Sequence, residues 1–269
     1  MRVNAFDACS RRLSFRLGVV LAVSFSFGPP RAGAASPSRV HVLSSPALRA
    51  DDYFLGRERL ANVEQGLQLL RQAVAENPSD YQAWWRVSKF ENYLGRHTDG
   101  VKTEIRCYQA GVEAGRRAVA LEPNRVEGHF WLGANYGLMA EDEGLIRGLR
   151  WVDAVRNEME TVIRLDPDYE QGAGQRSLAR VYYRAPFFKG GDKHRSIELL
   201  QDCLKRYPDD SLTLLYLADD YLAVGRREEA RGLFEKILQL CPDPLYGPEL
   251  ADNQSEARDR LQHAFRSGK

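Results

Sequence analysis

Small and apolar residues at fixed offsets, closed by a proline, form the pattern that most restricts how this 269-residue chain can fold. The pattern occupies residues 211–242. Its marked positions are Leu217, Ala218, Tyr221, Gly225, Ala230, Phe234, Ile237 and Pro242. Spacings of three and four residues on both sides of Gly225 predict two amphipathic helices joined by a turn. Such a pair cannot bury its apolar face alone, so neighbours of the same kind are expected.

Prolines further upstream occur at corresponding positions. Five of them would each end the second helix of a pair: Pro78, Pro123, Pro167, Pro208 and Pro242. Two earlier units also keep the first-helix residues, at Leu132, Gly133 and Tyr136 and at Leu178, Ala179 and Tyr182. The first two units match weakly, and many helices end before a proline. The whole pattern is typical of tetratricopeptide repeats, and it predicts an all-α, tetratricopeptide-like helical-hairpin solenoid of about five units.

Composition and motifs give little sign of catalysis. Charged residues make up 28% of the chain and the net charge is +1, so no basic surface for nucleic acid is predicted. The histidines are scattered, at His41, His97, His129, His194 and His263. None stands at a metal-binding interval from another histidine or a cysteine, and no phosphate loop or nucleophile motif occurs. We therefore predict a protein that is not an enzyme, with no catalytic residues, cofactor or metal.

The first 34 residues have the order of a secretory signal peptide. A basic flank precedes the apolar run Leu17–Phe27, and Ala32-Gly33-Ala34 is a small-residue cleavage site. This predicts export, in a periplasmic setting, with no transmembrane helix in the mature chain; a retained membrane anchor is the alternative. No cysteine follows the apolar run at the cleavage point, so a lipoprotein is not predicted.

The remaining chain divides by composition. Residues 35–49 are expected to be a flexible leader, with helices starting near Ala50. Residues 50–247 form the predicted repeat domain, and 248–269 a C-terminal capping helix and tail. Cleavage would leave Cys107, Cys203 and Cys241, an odd number. Cys203 takes a helix-packing position and is expected as a buried free thiol; a Cys203–Cys241 bridge is the alternative.

A concave groove is predicted from the helix faces that the repeat signature leaves free. Its proposed lining combines aromatic and basic residues: Trp85, Lys89, Tyr93, Phe130, Arg176, Arg180, Tyr183 and Arg184. Arginines would hold a carboxylate and the rings would cover an apolar body, which suits a small anionic or hydrophobic ligand. The alternative is that the arginines form a solvated face and the aromatics belong to the core.

The segment 186–193 contains two glycines before a helix. These could cradle an anion on free backbone amides. The favoured interpretation is a turn in which the glycines take positive φ and Asp192 caps the next helix. Phe187 and Phe188 are then expected to pin the loop against the stack.

Four segments together resemble the T-component proteins of tripartite ATP-independent periplasmic (TRAP) transporters. They are Gly128–Gly137, Leu165–Tyr169, Leu178–Tyr183 and Phe188–Lys193, and the resemblance extends over about residues 50–245. It implies helical hairpins around a central pore. It also implies a periplasmic accessory that associates with a solute-binding protein and passes hydrophobic ligands. Such proteins are typically lipid-anchored at an N-terminal cysteine, which this chain lacks.

Two functional hypotheses follow. A transporter accessory requires a lined cavity, with Phe130 and Arg180 facing a closed channel. A general protein-interaction scaffold in the cell envelope requires an open groove that takes a peptide or helix from a protein partner.

Overall fold

The computed structural model describes residues 45–243 and 245–265, and every regular element within them is helical. The α-helices are α1 (Pro46–Leu55), α2 (Leu60–Glu76), α3 (Tyr81–Arg96), α4 (Val101–Leu121), α5 (Val126–Asp142), α6 (Gly144–Gly148), α7 (Val152–Leu165), α8 (Ala173–Arg184), α9 (Lys193–Arg206), α10 (Ser211–Ala223), α11 (Arg227–Leu238) and α12 (Gly247–Ala264). A single 3₁₀ turn, Phe187–Lys189, lies between α8 and α9. The predicted all-α class is confirmed.

The helices pack as five consecutive hairpins, which confirms the predicted solenoid. The pairs are α1–α2, α3–α4, α5–α7, α8–α9 and α10–α11, and each hairpin packs on the next. Every proline used to mark the units follows the second helix of its pair. The third hairpin is the irregular one, because the short α6 lies in its connection.

Small residues allow neighbouring helices to approach closely. A Cβ on Gly115 of α4 would come within 2.9 Å of the Leu132 Cα on α5. Beside it, Asn135 Nδ2 donates to the backbone oxygen of Ser88 at 3.1 Å, and Ser88 Oγ donates to the Gly111 carbonyl at 2.8 Å. These buried polar groups satisfy one another and fix how the second and third hairpins meet.

Helix starts follow ordinary capping chemistry. The carboxylates of Asp80 and Asp210 accept hydrogen bonds from the amides of Ala83 and Thr213, at 3.0 and 2.7 Å. At the N-terminal end of the repeat domain, α1 begins at Pro46, four residues before the expected start. Ser45 explains the difference, because its hydroxyl accepts from the Leu48 amide and a proline at the first position favours a helix.

The predicted signal peptide, residues 1–34, lies outside the described residues, as does most of the expected leader. Among the described helices, none combines the length and apolar character needed to cross a bilayer. Cys203 is fully buried and free, as expected, so it does not bridge to Cys241.

A helix does cover the last hairpin. Ala257 of α12 is fully buried, and Leu261 and Phe265 pack on the core formed by α10 and α11. The N-terminal end of α12 extends further than a cap requires, because it also contacts the first hairpin.

Candidate functional site

The start of α12 lies across the inner face of the earlier hairpins. Arg57, in the α1–α2 turn, donates from Nε to Glu249 Oε1 at 2.8 Å, and its Nη2 bonds the other carboxylate oxygen. Tyr246 donates its hydroxyl hydrogen to Glu170 at 2.8 Å. The chain itself therefore occupies part of the concave face.

Four of the predicted groove residues lie on α3 and α5, and three of them are buried aromatic residues. Trp85, Tyr93 and Phe130 are 9%, 7% and 9% exposed. Tyr93 packs against Phe54 and stacks on His97, with ring centroids 5.4 and 4.0 Å away. Because the side chains of Trp85, Tyr93 and Phe130 are buried, they are packing residues of the helix stack.

Lys89 is the polar member of this set. Its Nζ lies 4.1 Å from the centroid of the Phe54 ring and 5.7 Å from that of Trp131. Burial lowers the pKa of Lys89, an effect that the nearby carboxylate of Glu170 opposes. The ammonium thus rests on aromatic faces, a cation–π arrangement.

Arg176 has a structural role of its own. It is 9% exposed, and its Nη1 donates to Asp210 at 3.1 Å. Longer contacts of 3.4 Å reach the carbonyls of Glu170 and Gln171, two residues with positive φ of 45° and 57°. Arg176 therefore holds a strained turn to the start of α10, and it does not join a fork with Arg180.

The remaining three predicted residues do meet, in an open cleft of about 370 Å³. The lining consists of Arg180, Tyr183, Arg184, Asp219, Leu222, Ala223 and Arg260. The helices α8, α10 and α12 each supply part of it. Arg260 was not predicted, because its place depends on how α12 packs over α10, and the repeat pattern carries no signal for that.

Three arginines and one aspartate line the cleft, and Glu256 beside it pairs with Arg260 at 2.7 Å. Arg180 lies 3.8 Å from Asp219 Oδ2, while Arg260 Nε donates to Asp219 Oδ1 at 3.0 Å. One carboxylate is thus shared by two guanidinium groups. Arg180 also faces the rings of Tyr183 and Tyr216, at 5.1 and 4.8 Å. The buried Arg180 Nη1 has no hydrogen-bond partner within the described chain.

A second carboxyl group lies beneath the cleft. Asp220 is 1% exposed, and burial raises its pKa to about 6. Arg184, at the outer rim, is 3.9 Å from Glu141. An added carboxylate could therefore pair with Arg180 and Arg184 without displacing a short ion pair.

The turn 186–193 has the favoured geometry in part, because Asp192 caps α9 but only Gly190, and not Gly191, takes a positive φ. Gly190 takes a φ of +79°, and Asp192 accepts from the amides of His194 and Arg195 at 2.9 and 3.1 Å. The expectation for the two phenylalanines is wrong. Phe187 and Phe188 are 91% and 75% exposed, because the turn is closed by hydrogen bonds and glycine contacts and needs no apolar anchor.

Comparisons with known families and structures agree with this fold. Residues 187–243 match the family model described as tetratricopeptide repeat, and residues 48–172 match the one described as regulator of microtubule dynamics protein 1-3. A search of curated proteins found no match. These family matches name no TRAP transporter component.

Two solved structures are similar in fold. The first is TTC0263, a thermophilic tetratricopeptide protein of Thermus thermophilus, with a TM-score of 0.57 and 21% identity over 79% of this chain and 97% of that one. The second is PilW, a type IV pilus biogenesis factor, with a TM-score of 0.53 and 16% identity over 83% of this chain and 94% of that one. Residues 187–243 thus match the tetratricopeptide-repeat model, and the described chain has the fold of a tetratricopeptide-repeat protein.

Proposed function

We propose that this protein is an exported protein-interaction scaffold that binds an acidic segment of a partner protein in the cleft around Arg180. The observation that carries the proposal is the buried Arg180 Nη1, which has no hydrogen-bond partner in the described chain and lies 3.8 Å from Asp219, the carboxylate that it shares with Arg260. Tetratricopeptide proteins present extended surfaces to partners, and an open cleft suits a segment of chain.

The chemistry of the lining favours a carboxylate with apolar neighbours. A guanidinium group binds a carboxylate through two parallel hydrogen bonds, and the cleft offers Arg180 and Arg184 for this. Tyr183 and Leu222 supply apolar surface beside them. An extended peptide with alternating acidic and apolar side chains fits both.

Fluorescence anisotropy tests the proposal with a labelled decapeptide of alternating Asp and Leu, and with its Asn-Leu counterpart. We expect the acidic peptide to bind more tightly, with an affinity that falls as salt is added. Arg180→Ala and Arg184→Ala should each weaken binding roughly tenfold, since charge-assisted hydrogen bonds are lost. Arg195→Ala is the matched control, because Arg195 is exposed and pairs with Glu198 outside the cleft. Equal binding of the two peptides would contradict the proposal.

A second candidate is the accessory of a TRAP-type transporter, which would handle a small anionic or apolar ligand or bind a periplasmic solute-binding protein. The cleft volume of about 370 Å³ supports it, since small-molecule sites have this size. The scaffold ranks first because Phe130 packs on Trp131 and Tyr169, at 5.0 and 5.2 Å, and is not among the residues that line the cleft with Arg180.

Native mass spectrometry of protein purified from its own envelope separates the two candidates. A bound small acid that is lost in Arg180→Ala supports the transporter accessory. A bound protein that is lost in the same variant supports the scaffold. If the Arg180→Ala variant retains either bound species, the cleft is not the binding site for that species.

A further inference from the structure

Two phenylalanines project from the tip of the α8–α9 turn. Phe187 is 91% exposed and Phe188 is 75% exposed, although most large apolar side chains in the described chain are buried. An adjacent pair of exposed aromatic rings is unfavourable in water unless another surface covers it. The pair therefore marks a candidate interaction surface.

The turn that carries the pair is held in place. Arg156 Nη2 on α7 donates to the Lys189 carbonyl at 2.6 Å, and the Asp192 amide donates to the Tyr182 carbonyl at 2.8 Å. A Cβ at Gly191 would collide with the Ala185 carbonyl, so the chain closes tightly there. The exposure of the rings is thus a feature of a fixed turn.

Exposed apolar residues recur along the same edge of the solenoid. Lys189 pairs with Asp153 in the first turn of α7 at 2.9 Å, and Ile146, 85% exposed, lies in the connection that precedes α7. The first two hairpins carry exposed apolar residues at the same end, Leu55 and Val101, at 56% and 58%. Hairpins stacked in register place these turns on one edge.

Charge distinguishes the α8–α9 turn from the turns that join one hairpin to the next. The α8–α9 turn and its flanks are basic, with Arg184, Lys189, Lys193 and Arg195. The only acidic residue of that stretch, Asp192, is occupied in capping α9. The turns between hairpins, at the other edge, carry mostly acidic residues, among them Asp80, Asp166, Asp168, Glu170, Asp209 and Asp210.

We propose that the α8–α9 turn docks on an anionic lipid bilayer, with the rings of Phe187 and Phe188 inserted between the headgroups. Aromatic side chains partition into the interfacial layer, and basic side chains beside them are attracted to anionic lipids. The pair stands at a protruding tip, which a bilayer accommodates directly, whereas a protein partner would need a matching pocket. The opposite, acidic edge would face away from the membrane.

The test uses the full chain carrying Phe188→Trp, mixed with vesicles of phosphatidylcholine alone or with about 30% phosphatidylglycerol. Lipids brominated on the acyl chains report insertion by quenching the fluorescence that this tryptophan adds to the native signal. The readout is local, so the apolar run Leu17–Phe27 in the same chain does not produce it. We expect quenching with the anionic vesicles and much less with phosphatidylcholine alone.

Flotation of variants with the anionic vesicles gives the second measurement. Phe187→Ser with Phe188→Ser should reduce the vesicle-bound fraction severalfold, and Lys193→Gln with Arg195→Gln should reduce it less. Leu48→Ser is the control, since Leu48 is 55% exposed but lies on α1 away from this edge. Circular dichroism verifies that each variant is folded. Absence of quenching at position 188 overturns the proposal, and so does flotation of the double serine variant equal to that of the unmodified chain. The proposal is also overturned if the double serine variant loses a protein partner but still binds lipid.

Discussion

Arg57 and Glu249 are 192 positions apart in the sequence, and a hydrogen bond of 2.8 Å joins their side chains. Arg57 follows the first helix, and Glu249 belongs to the first turn of the last. The two ends of the hairpin row are therefore in direct contact. Stacking of neighbours alone does not require such a contact.

Replacement of Glu249 tests how much this contact stabilises the fold. Arg57 has only 3% of its side chain exposed, so Glu249→Ala leaves a buried guanidinium without its carboxylate. We expect the free energy of unfolding to fall by about 2 kcal/mol, measured by urea denaturation. Glu228→Ala is the control: Glu228 is 81% exposed, and its loss should change stability by less than about 0.5 kcal/mol. A Glu249 variant as stable as the control would show that the ends do not support each other.

Arg176 and Arg180 stand one helical turn apart and should behave oppositely. Arg176→Ala removes a largely buried ion pair with Asp210, and we expect a loss of about 3 kcal/mol in the free energy of unfolding. Arg180→Ala breaks only a 3.8 Å contact at an open cleft and should cost less than about 1 kcal/mol. Urea denaturation of both variants, beside the peptide-binding assay, makes the comparison. Equal destabilisation would refute the division of roles.

Asp220 should make stability depend on pH. Burial raises its pKa from 3.8 to about 6 in the folded chain, so the folded state binds this proton more tightly than the unfolded state does. The stabilisation is complete below about pH 4 and is lost as the pH rises through about 6.

The variant Asp220→Asn removes this titration. It should be more stable than the natural protein at pH 7 by about 2 kcal/mol, with little difference at pH 4. Thermal or urea unfolding at the two pH values measures it. Asp209→Asn, at a side chain that is 63% exposed, is the control and should show no such trend. A difference independent of pH would mean that Asp220 is not the responsible group.

Two glycines in adjacent helices should respond differently to alanine. Gly115 meets the Leu132 backbone, so Gly115→Ala forces α4 and α5 apart and should cost about 2 kcal/mol. Gly137, also helical, has open space where a Cβ would stand. There Gly137→Ala should raise stability by about 0.5–1 kcal/mol through helix propensity. Melting curves of the two variants give the signs directly, and two changes of the same sign would contradict the packing described.

The hairpins could be predicted because their signals are local. Leu217, Tyr221 and Phe234 pack within one helix pair, and Pro242 lies a few residues past its end. The contact of α12 with the first hairpin could not be predicted in this way. Its contact with Arg57 depends on the summed rotation of five hairpins of unequal length, which no short pattern encodes.

The candidate site was predicted in part for a similar reason. Arg176 and Arg180 both occupy positions on the expected inner face of α8. Their roles diverge because Glu170 and Gln171 adopt positive φ and bring carbonyls to Arg176, while Arg260 arrives beside Asp219 from α12. Helix periodicity predicts the face of a side chain but not the partner that reaches it from elsewhere.

The join between Arg57 and Glu249 also limits how such a chain can vary. An open row of hairpins can gain or lose one member in evolution, since each touches only the next. Here the insertion of a single hairpin would carry the final helix past Arg57, the donor to Glu249, and a deletion would stop it short. The contact between the two ends thus sets the number of hairpins, and unfolding of one end should destabilise the other.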